Sequence, residues 1–194
     1  MTKTLDTRLG AKERGMLSEL IGRTFSRYRS DTFTFSNTVY GTLGIIVEDD
    51  VFELTNYIQT ESDYFGYSEE VSRFELKPVK LGDLKSGVVD GVQVDYMIND
   101  TITDIKLIND REVMTKAGEL FFDYRYTRAI VFCFEGHELA FERGDDIFEL
   151  IHIVTGYDAL SKIGPADEFL SPMEGSEETA EREVLSLSAE RQSV

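Results

Sequence analysis

Cysteine, tryptophan, proline and histidine are scarce in this chain. Its 194 residues include one Cys, no Trp, three Pro and two His. A single cysteine, Cys133, excludes an intramolecular disulfide and is typical of proteins of a reducing cytoplasm, where we place the chain. Two histidines with one cysteine do not furnish a closed zinc site, and we expect no cofactor.

Long hydrophobic runs are absent as well. No apolar stretch approaches the roughly 18 residues of a membrane-spanning helix, so we expect no membrane partner. The first residues include Lys3, Asp6 and Arg8 without an apolar stretch, unlike a secretory signal. A hydrophobic fraction of 41%, with 13 Phe and 9 Tyr, suffices for a buried core. These features predict a cytoplasmic protein with one globular body.

Positive charge is in short supply, and the net charge is −17. Residues 1–30 hold seven cations and three anions, a charge of +4, whereas residues 165–194 hold eight anions and two arginines, a charge of −6. The segment between them therefore carries −15. Such a body repels phosphate backbones, so we expect no direct nucleic-acid binding. Two interpretations stay open: the charge keeps the protein soluble, or it fits a protein partner with a basic surface.

The N-terminal region, residues 1–30, has a helical pattern over residues 10–28. Apolar side chains recur there at spacings of three and four residues: Leu17, Leu20, Ile21, Phe25 and Tyr28. The basic residues fall mostly off this stripe. The spacing predicts a basic amphipathic helix that packs on one face of a sheet.

Residues 31–164 form the predicted β-rich body, and one pattern occurs in it twice. Thr42–Val47 and Thr127–Phe132 are apolar runs, and each is followed by a short acidic turn and a returning strand with a Glu-Leu pair. Both segments predict β-hairpins. Val92–Ile98 and Thr101–Ile108, separated by Asn99-Asp100, predict a third. We expect an α+β fold, mainly antiparallel β, with the N-terminal helix on a sheet containing two similar β-hairpins.

The composition changes after Gly164-Pro165. Ser, Glu and Ala dominate residues 165–194, and few apolar residues remain there. Such a segment does not bury enough apolar surface to offset the entropy lost on ordering. We therefore predict a disordered acidic tail, with a nascent helix at Ala180–Leu187.

Two kinds of segment are candidates for binding a partner. Acidic residues are paired at predicted turns: Asp49 and Asp50, Glu69 and Glu70, Asp145 and Asp146. A loop with turn-forming and aromatic residues contains Asp63, Tyr64, Phe65 and Tyr67. Aromatic side chains in such loops are typical interface anchors. Acidic residues are also ordinary in turns, and the aromatic residues have the alternative role of capping the core.

Catalytic motifs are weak. Cys133 and His137 point to opposite faces of the second hairpin if Glu135-Gly136 is its turn, so they do not form a nucleophile–base pair. Asp104-Ile105-Lys106 and Glu75-Leu76-Lys77 have the spacing of a metal-dependent nuclease, with Asp95, or Asp49 and Asp50, as further metal ligands. Alternation alone produces this spacing on any solvated strand face. We therefore expect no enzymatic activity and no catalytic residue.

The run from Tyr126 to Phe132, continuing through Glu138 to Arg143, resembles a pattern of uncharacterised proteins carried by phages and integrative elements of Gram-positive bacteria. The first copy, with Tyr64–Gly66 and Glu69–Val71, is similar to their upstream half. The resemblance implies a mobile-element product that binds host machinery, as anti-CRISPR inhibitors do, and implies no catalytic residue. The expected function is stoichiometric binding to a host nucleic-acid-handling protein. The alternatives are a bacterial ligand-binding or structural domain and, less favoured, a metal-dependent nuclease.

Overall fold

The computed structural model describes residues 3–31, 37–62, 68–85, 87, 92–144, 149–168, 170 and 174–191. Most of this part of the chain is antiparallel β-strand. The strands are β1 Lys3–Thr7, β2 Thr24–Asp31, β3 Thr38–Tyr40, β4 Thr42–Val47, β5 Asp50–Ser62, β6 Ser68–Pro78, β7 Gln93–Thr101, β8 Asp104–Lys116, β9 Glu119–Cys133, β10 Glu138–Arg143, β11 Leu150–Gly156 and β12 Ser176–Ser186. The helices are α1 Ala11–Glu19 and α2 Leu187–Arg191.

The strands form two sheets. The larger has seven strands, in the order β12-β8-β9-β10-β11-β3, and β1 also pairs with β9. The smaller has five strands, in the order β6-β5-β4-β2-β7. Every pair is antiparallel except β1 with β9. The mainly antiparallel architecture agrees with the sequence.

Aromatic and aliphatic side chains from both sheets share one core. Phe25 of β2 meets Phe132 of β9 edge to face, with ring centroids 4.9 Å apart, and contacts Phe134 at 5.8 Å. The other buried members from the two sheets include Ile45, Leu54, Phe74, Ile105, Ile130, Leu139, Phe141 and Ile151. Alternate residues of a strand face the same side, so these runs present one apolar face each. Burial between the two sheets supplies most of the hydrophobic stabilisation.

The predicted N-terminal helix is too long. Helix α1 ends at Glu19, and the chain passes through Gly22, which has φ of +90°, into β2. Leu17 is a buried part of the predicted stripe, but Phe25 lies on a strand. A β-bulge between Phe25 and Arg27 shifts the register. The extra residue keeps Phe25 and Tyr28, three positions apart, on the buried side, so their spacing imitates a helix.

The boundary predicted at residues 30 and 31 is also wrong. Strand β2 pairs along one edge with β4 and along the other with β7, and β1 pairs with β9. The N-terminal region is therefore built into both sheets. The side chain of Glu13 in α1 accepts hydrogen bonds from the backbone N–H groups of Gly10 (2.7 Å) and Leu76 (3.3 Å), which ties the helix to β6. The structure does not confirm a helix lying across one face of a single sheet.

The two similar hairpins are not confirmed as a repeat in one sheet. β4–β5 belongs to the smaller sheet and β9–β10 to the larger. Leu54 pairs with Leu43, whereas the equivalent Leu139 pairs with Phe132, which corresponds in sequence to Val47. The strands therefore pair in different registers, so the structure does not confirm a repeated unit.

The third predicted hairpin is wrong. β7 belongs to the smaller sheet and continues through Asn99 and Asp100 to Thr101, whereas β8 belongs to the larger, so the chain crosses between the sheets at Ile102 and Thr103. Ile102 in this crossing is fully buried, its N–H donates to the carbonyl of Arg23 (2.9 Å), and its carbonyl accepts from the N–H of Gly22 (2.8 Å). The apolar side chain that suggested a returning strand instead fills the core.

The prediction of a disordered tail is wrong for residues 176–191. β12 pairs with β8 from Ser176 to Ser186. At its end, Asp104 of β8 accepts hydrogen bonds from the hydroxyl of Ser186 (2.8 Å) and the backbone N–H of Ser188 (3.0 Å). Leu187 is fully buried in the core. The segment orders because the edge of β8 supplies backbone partners that composition does not reveal.

Replacing Leu187 by alanine tests whether the C-terminal segment is part of the fold. We expect Leu187→Ala to lower the free energy of unfolding by about 2–5 kcal/mol, because it leaves a cavity in the core. The matched control, Val184→Ala on β12, is 46% exposed and should change stability by about 0.5 kcal/mol or less. Urea denaturation measures both. Equal stability of Leu187→Ala and wild type would show that the segment does not pack.

Candidate functional site

The predicted acidic turn at Asp49 and Asp50 joins β4 to β5. Arg23 binds two carboxylates there: Nη1 lies 2.7 Å from Asp50, and Nε lies 3.0 Å from Glu48. Asp49 is exposed beside them. The arginine offsets part of the negative charge, so this turn presents less of it than the sequence suggests.

The other predicted partner-binding residues are not brought together by the described structure. Asp63, Tyr64, Phe65, Tyr67, Asp145 and Asp146 lie outside the described residues. The backbones of Glu69 and Glu70 belong to β6, opposite Glu61 and Thr60 of β5, and their side chains lie outside the described part. These residues remain predictions.

The clearest acidic surface lies on β12, in the segment that the sequence assigned to a disordered tail. Glu177, Thr179, Glu181 and Glu183 are exposed at alternate positions and hence share a face. Alternate residues along a strand are separated by roughly 6.7 Å. β12 is an outer strand of its sheet, and among the described residues it pairs only with β8. We call these three glutamates and Thr179 the β12 row. Glutamates at the alternate positions 177, 181 and 183 were the sequence signal for it.

Arg182 anchors the strand that carries the β12 row. Its Nε and Nη2 bind both oxygens of the buried Asp110, at 2.8 and 2.7 Å, and Nη2 also donates to the carbonyl of Gly164 (2.7 Å). The hydrogen bonds to Asp110 raise the pKa of Arg182. A bidentate pair with a buried carboxylate is geometrically specific, so it fixes the register of β12 on β8.

A second ion-pair group holds the chain that follows β11. The buried Arg128 lies 2.7 Å from Glu142 and also pairs with Glu168. Glu142 accepts a hydrogen bond from the N–H of Gly164 (3.0 Å), the residue whose carbonyl Arg182 binds. This network connects β9 and β10 with β12 through Gly164.

Asp123 of β9 orients two arginines beside β12. It accepts two hydrogen bonds from Arg111 (2.9 and 3.1 Å) and two from Arg125 (3.3 and 3.1 Å). Hydrogen bonding to Arg111, followed by that to Arg125, lowers the pKa of Asp123 to about 2. The carboxylate is therefore ionised throughout the physiological range and keeps both guanidinium groups in place.

Cys133 lies beside a polar group but is poorly suited to catalysis. Lys106 Nζ is 3.0 Å from Glu138 Oε1, and the thiol is 3.5 Å from the same oxygen. Burial raises the pKa of the Cys133 thiol to about 12. His137 is on the other face of the hairpin, stacked on Phe134 at 4.7 Å. A protonated thiol is a weak nucleophile.

The residues of the nuclease hypothesis are separated and engaged in other contacts. Lys106 binds Glu138, Lys77 binds the buried Glu53 at 2.8 Å, and Asp95 binds Arg29 at 2.6 Å. Asp104 and Asp95 belong to different sheets. Within the residues that the structure describes, no three His, Cys, Asp or Glu side chains are grouped so as to hold a metal ion.

The chain matches no protein-family model, no curated protein and no solved structure. Among the described residues, neither helix has the length and apolarity needed to cross a membrane.

The pH dependence of the free energy of unfolding should reveal the ion pairs that Asp123 makes with Arg111 and Arg125. The pKa of Asp123 is about 2 in the folded protein and about 3.9 in an unfolded chain, so its stabilising contribution is complete above pH ~4. The contribution is lost as the pH falls towards 2. We expect Asp123→Asn to be less stable than wild type at neutral pH and to approach it near pH 2. Urea unfolding at a series of pH values measures this, and a constant difference down to pH 2 would contradict it.

Alkylation should detect the high pKa of Cys133. At neutral pH we expect iodoacetamide to modify the native protein at least tenfold more slowly than the urea-unfolded chain, because the buried thiol stays protonated. Mass spectrometry follows the reaction. Equal rates in the two states would show an accessible thiolate.

Proposed function

We propose that this protein is a stoichiometric binding module whose acidic surface engages a basic groove on a nucleic-acid-handling protein. The proposal includes its origin in a mobile element and its action as an inhibitor of host machinery. The observation that carries it is the β12 row, with three exposed glutamates on one face of an outer strand in a chain with net charge −17.

The carboxylates of the β12 row lie along one strand, which makes the row suited to a groove that binds a phosphate backbone. Glu181 and Glu183 are successive members, and Glu177 lies two steps away, beyond Thr179. Lysine and arginine side chains that line such a groove contact charges spaced along one direction. The row is carried by a strand that is already paired with β8, so little backbone entropy is lost when a partner binds.

The distribution of cations supports the same role. Several arginines of the smaller sheet and its turns bind carboxylates of this chain. Arg23 binds Glu48 and Asp50, and Arg29 binds Asp95. Exposed glutamates of β12 are less compensated: Arg111 Nη1 is 3.6 Å from Glu181, whose side chain is 72% exposed. An acidic surface whose charge is only partly offset attracts a basic partner over roughly a Debye length and accelerates association.

Charge reversal on β12 tests the proposal. We expect the triple variant with Glu177, Glu181 and Glu183 changed to Lys to lose binding of a partner captured from a Gram-positive lysate, by tenfold or more in affinity. Wild-type binding should weaken steeply between ~50 and ~500 mM salt, because screening shortens the range of the attraction. Quantitative pull-down followed by titration of the purified partner measures both effects.

A second triple variant separates the row from the overall charge. Glu19, Glu75 and Asp83 are exposed and lie outside β12 and its neighbours β8 and β9, and changing them to Lys alters the net charge by the same amount. We expect this control to retain most of the binding. An equal loss of binding in the two triple variants would show that only the net charge of the protein matters and would contradict a specific role of the β12 row. Equal binding by the wild type and both triple variants would overturn the proposal.

A further inference from the structure

A cleft of about 250 Å³ opens between β8, β9, β12 and the residue that follows β1. Four arginines line it: Arg8, Arg111, Arg125 and Arg182. The remaining lining residues are Asn109, Asp110, Glu181 and Glu183. The cleft therefore concentrates four guanidinium groups in a chain whose net charge is −17, and carboxylates of the chain offset their charge. The volume fits a small ion or a single headgroup and is too small for a polymer.

All four guanidinium groups are held in the same manner. Each uses Nε and Nη2 to bind one carboxylate: Arg8 binds Asp6, Arg182 binds Asp110, and Arg111 and Arg125 both bind Asp123. Nη1 of each group lies outside these bidentate pairs. A guanidinium has five N–H donors, so the Nη1 side retains donor capacity, which in Arg111 is shared with Glu181 at 3.6 Å.

Arg111 and Arg125 form the centre of the arrangement. They are direct neighbours across β8 and β9, and Asp123, whose side chain is 6% exposed, binds both. Two cations that share one carboxylate keep a net positive charge in a fixed geometry. Because the carboxylate has already immobilised the side chains, binding an anion costs less conformational entropy.

We propose that this cleft binds a small phosphate-bearing anion, with Arg111 and Arg125 as its principal ligands. Arginine matches the geometry of phosphate oxygens, and the terminal oxygens of a phosphate group suit donors that come from different strands. Arg8 and Arg182 supply further positive charge at the edges, and Asn109, oriented by a hydrogen bond from Thr127 (2.9 Å), adds an amide.

Glu181 sets the limit on affinity. Its carboxylate approaches Arg111 Nη1 at 3.6 Å and therefore competes with an incoming anion for that cation. Glu183, also at the cleft, is within 3.5 Å of the Asn109 amide. The site should therefore bind phosphate weakly, with a dissociation constant on the order of 1 mM, and should repel the polyanionic backbone of a nucleic acid.

Titration of the full-length protein with inorganic phosphate, at constant ionic strength maintained with chloride, tests this site. We expect saturable NMR shifts of amides in β8, β9 and β12 for the wild type. Arg111→Gln and Arg125→Gln should weaken phosphate binding tenfold or more. Glu181→Gln should strengthen it severalfold, a result that damage to the fold does not produce.

Arg29→Gln is the matched control, because Arg29 also binds an aspartate through two hydrogen bonds but lies in the other sheet. It should bind phosphate as the wild type does. Shifts that match those in chloride alone would overturn the proposal, as would equal affinity in Arg111→Gln, Arg125→Gln and wild type, or a loss of affinity in Glu181→Gln. The experiment uses no protein partner, so its outcome is independent of the proposed function.

Discussion

Hydrogen bonding along β9 holds the larger sheet together. This strand of 15 residues pairs with β8 along one edge, and with β1 and β10 in succession along the other. Its second half contributes Ile130 and Phe132 to the core, where Phe132 meets Phe25 of the smaller sheet. Its first half carries Arg125, which lines the cleft beside β12, and Asp123, which holds Arg125 in place. A bulge between the two halves, opposite Ile108 and Asn109, separates the apolar part from the polar part.

A buried arginine, Arg143, links the two sheets inside the protein, where side chains are mostly apolar. Arg143 of β10 is fully buried, and its Nη1 donates to the carbonyl of Ser72 in β6 (2.7 Å) and to the hydroxyl of Tyr124 (2.8 Å). Its guanidinium also lies over the ring of Tyr126, 3.9 Å from the centroid. A desolvated cation on an aromatic face is a favourable contact. The position fixes the smaller sheet against β9 and β10 with directional bonds.

This use of arginine has a consequence for the surface. Arg128 and Arg182 bind carboxylates that are largely buried, and Arg23 and Arg29 bind carboxylates on their own sheet. Much of the positive charge is therefore used within the molecule, while the glutamates of β12 remain exposed to solvent. The two proposed roles of the β12 region follow from this division: the exposed glutamates attract a basic protein, and the arginines beside the strand form a small site of opposite preference.

The sequence by itself determined the class of the fold, because alternation of apolar residues in runs such as Thr127 to Phe134 requires a strand with one buried face. It also determined that the surface is acidic. The tertiary structure decided which strands pair, and it overruled local patterns in two informative places. A bulge gave Phe25 and Tyr28 a helical spacing on a strand, and the free edge of β8 ordered the polar segment Ser176–Ser186. Both effects depend on partners that are distant in the chain. The β12 row and the arginine cleft could not be recognised without them, since strand pairing alone brings Arg111, Arg125 and Glu181 together.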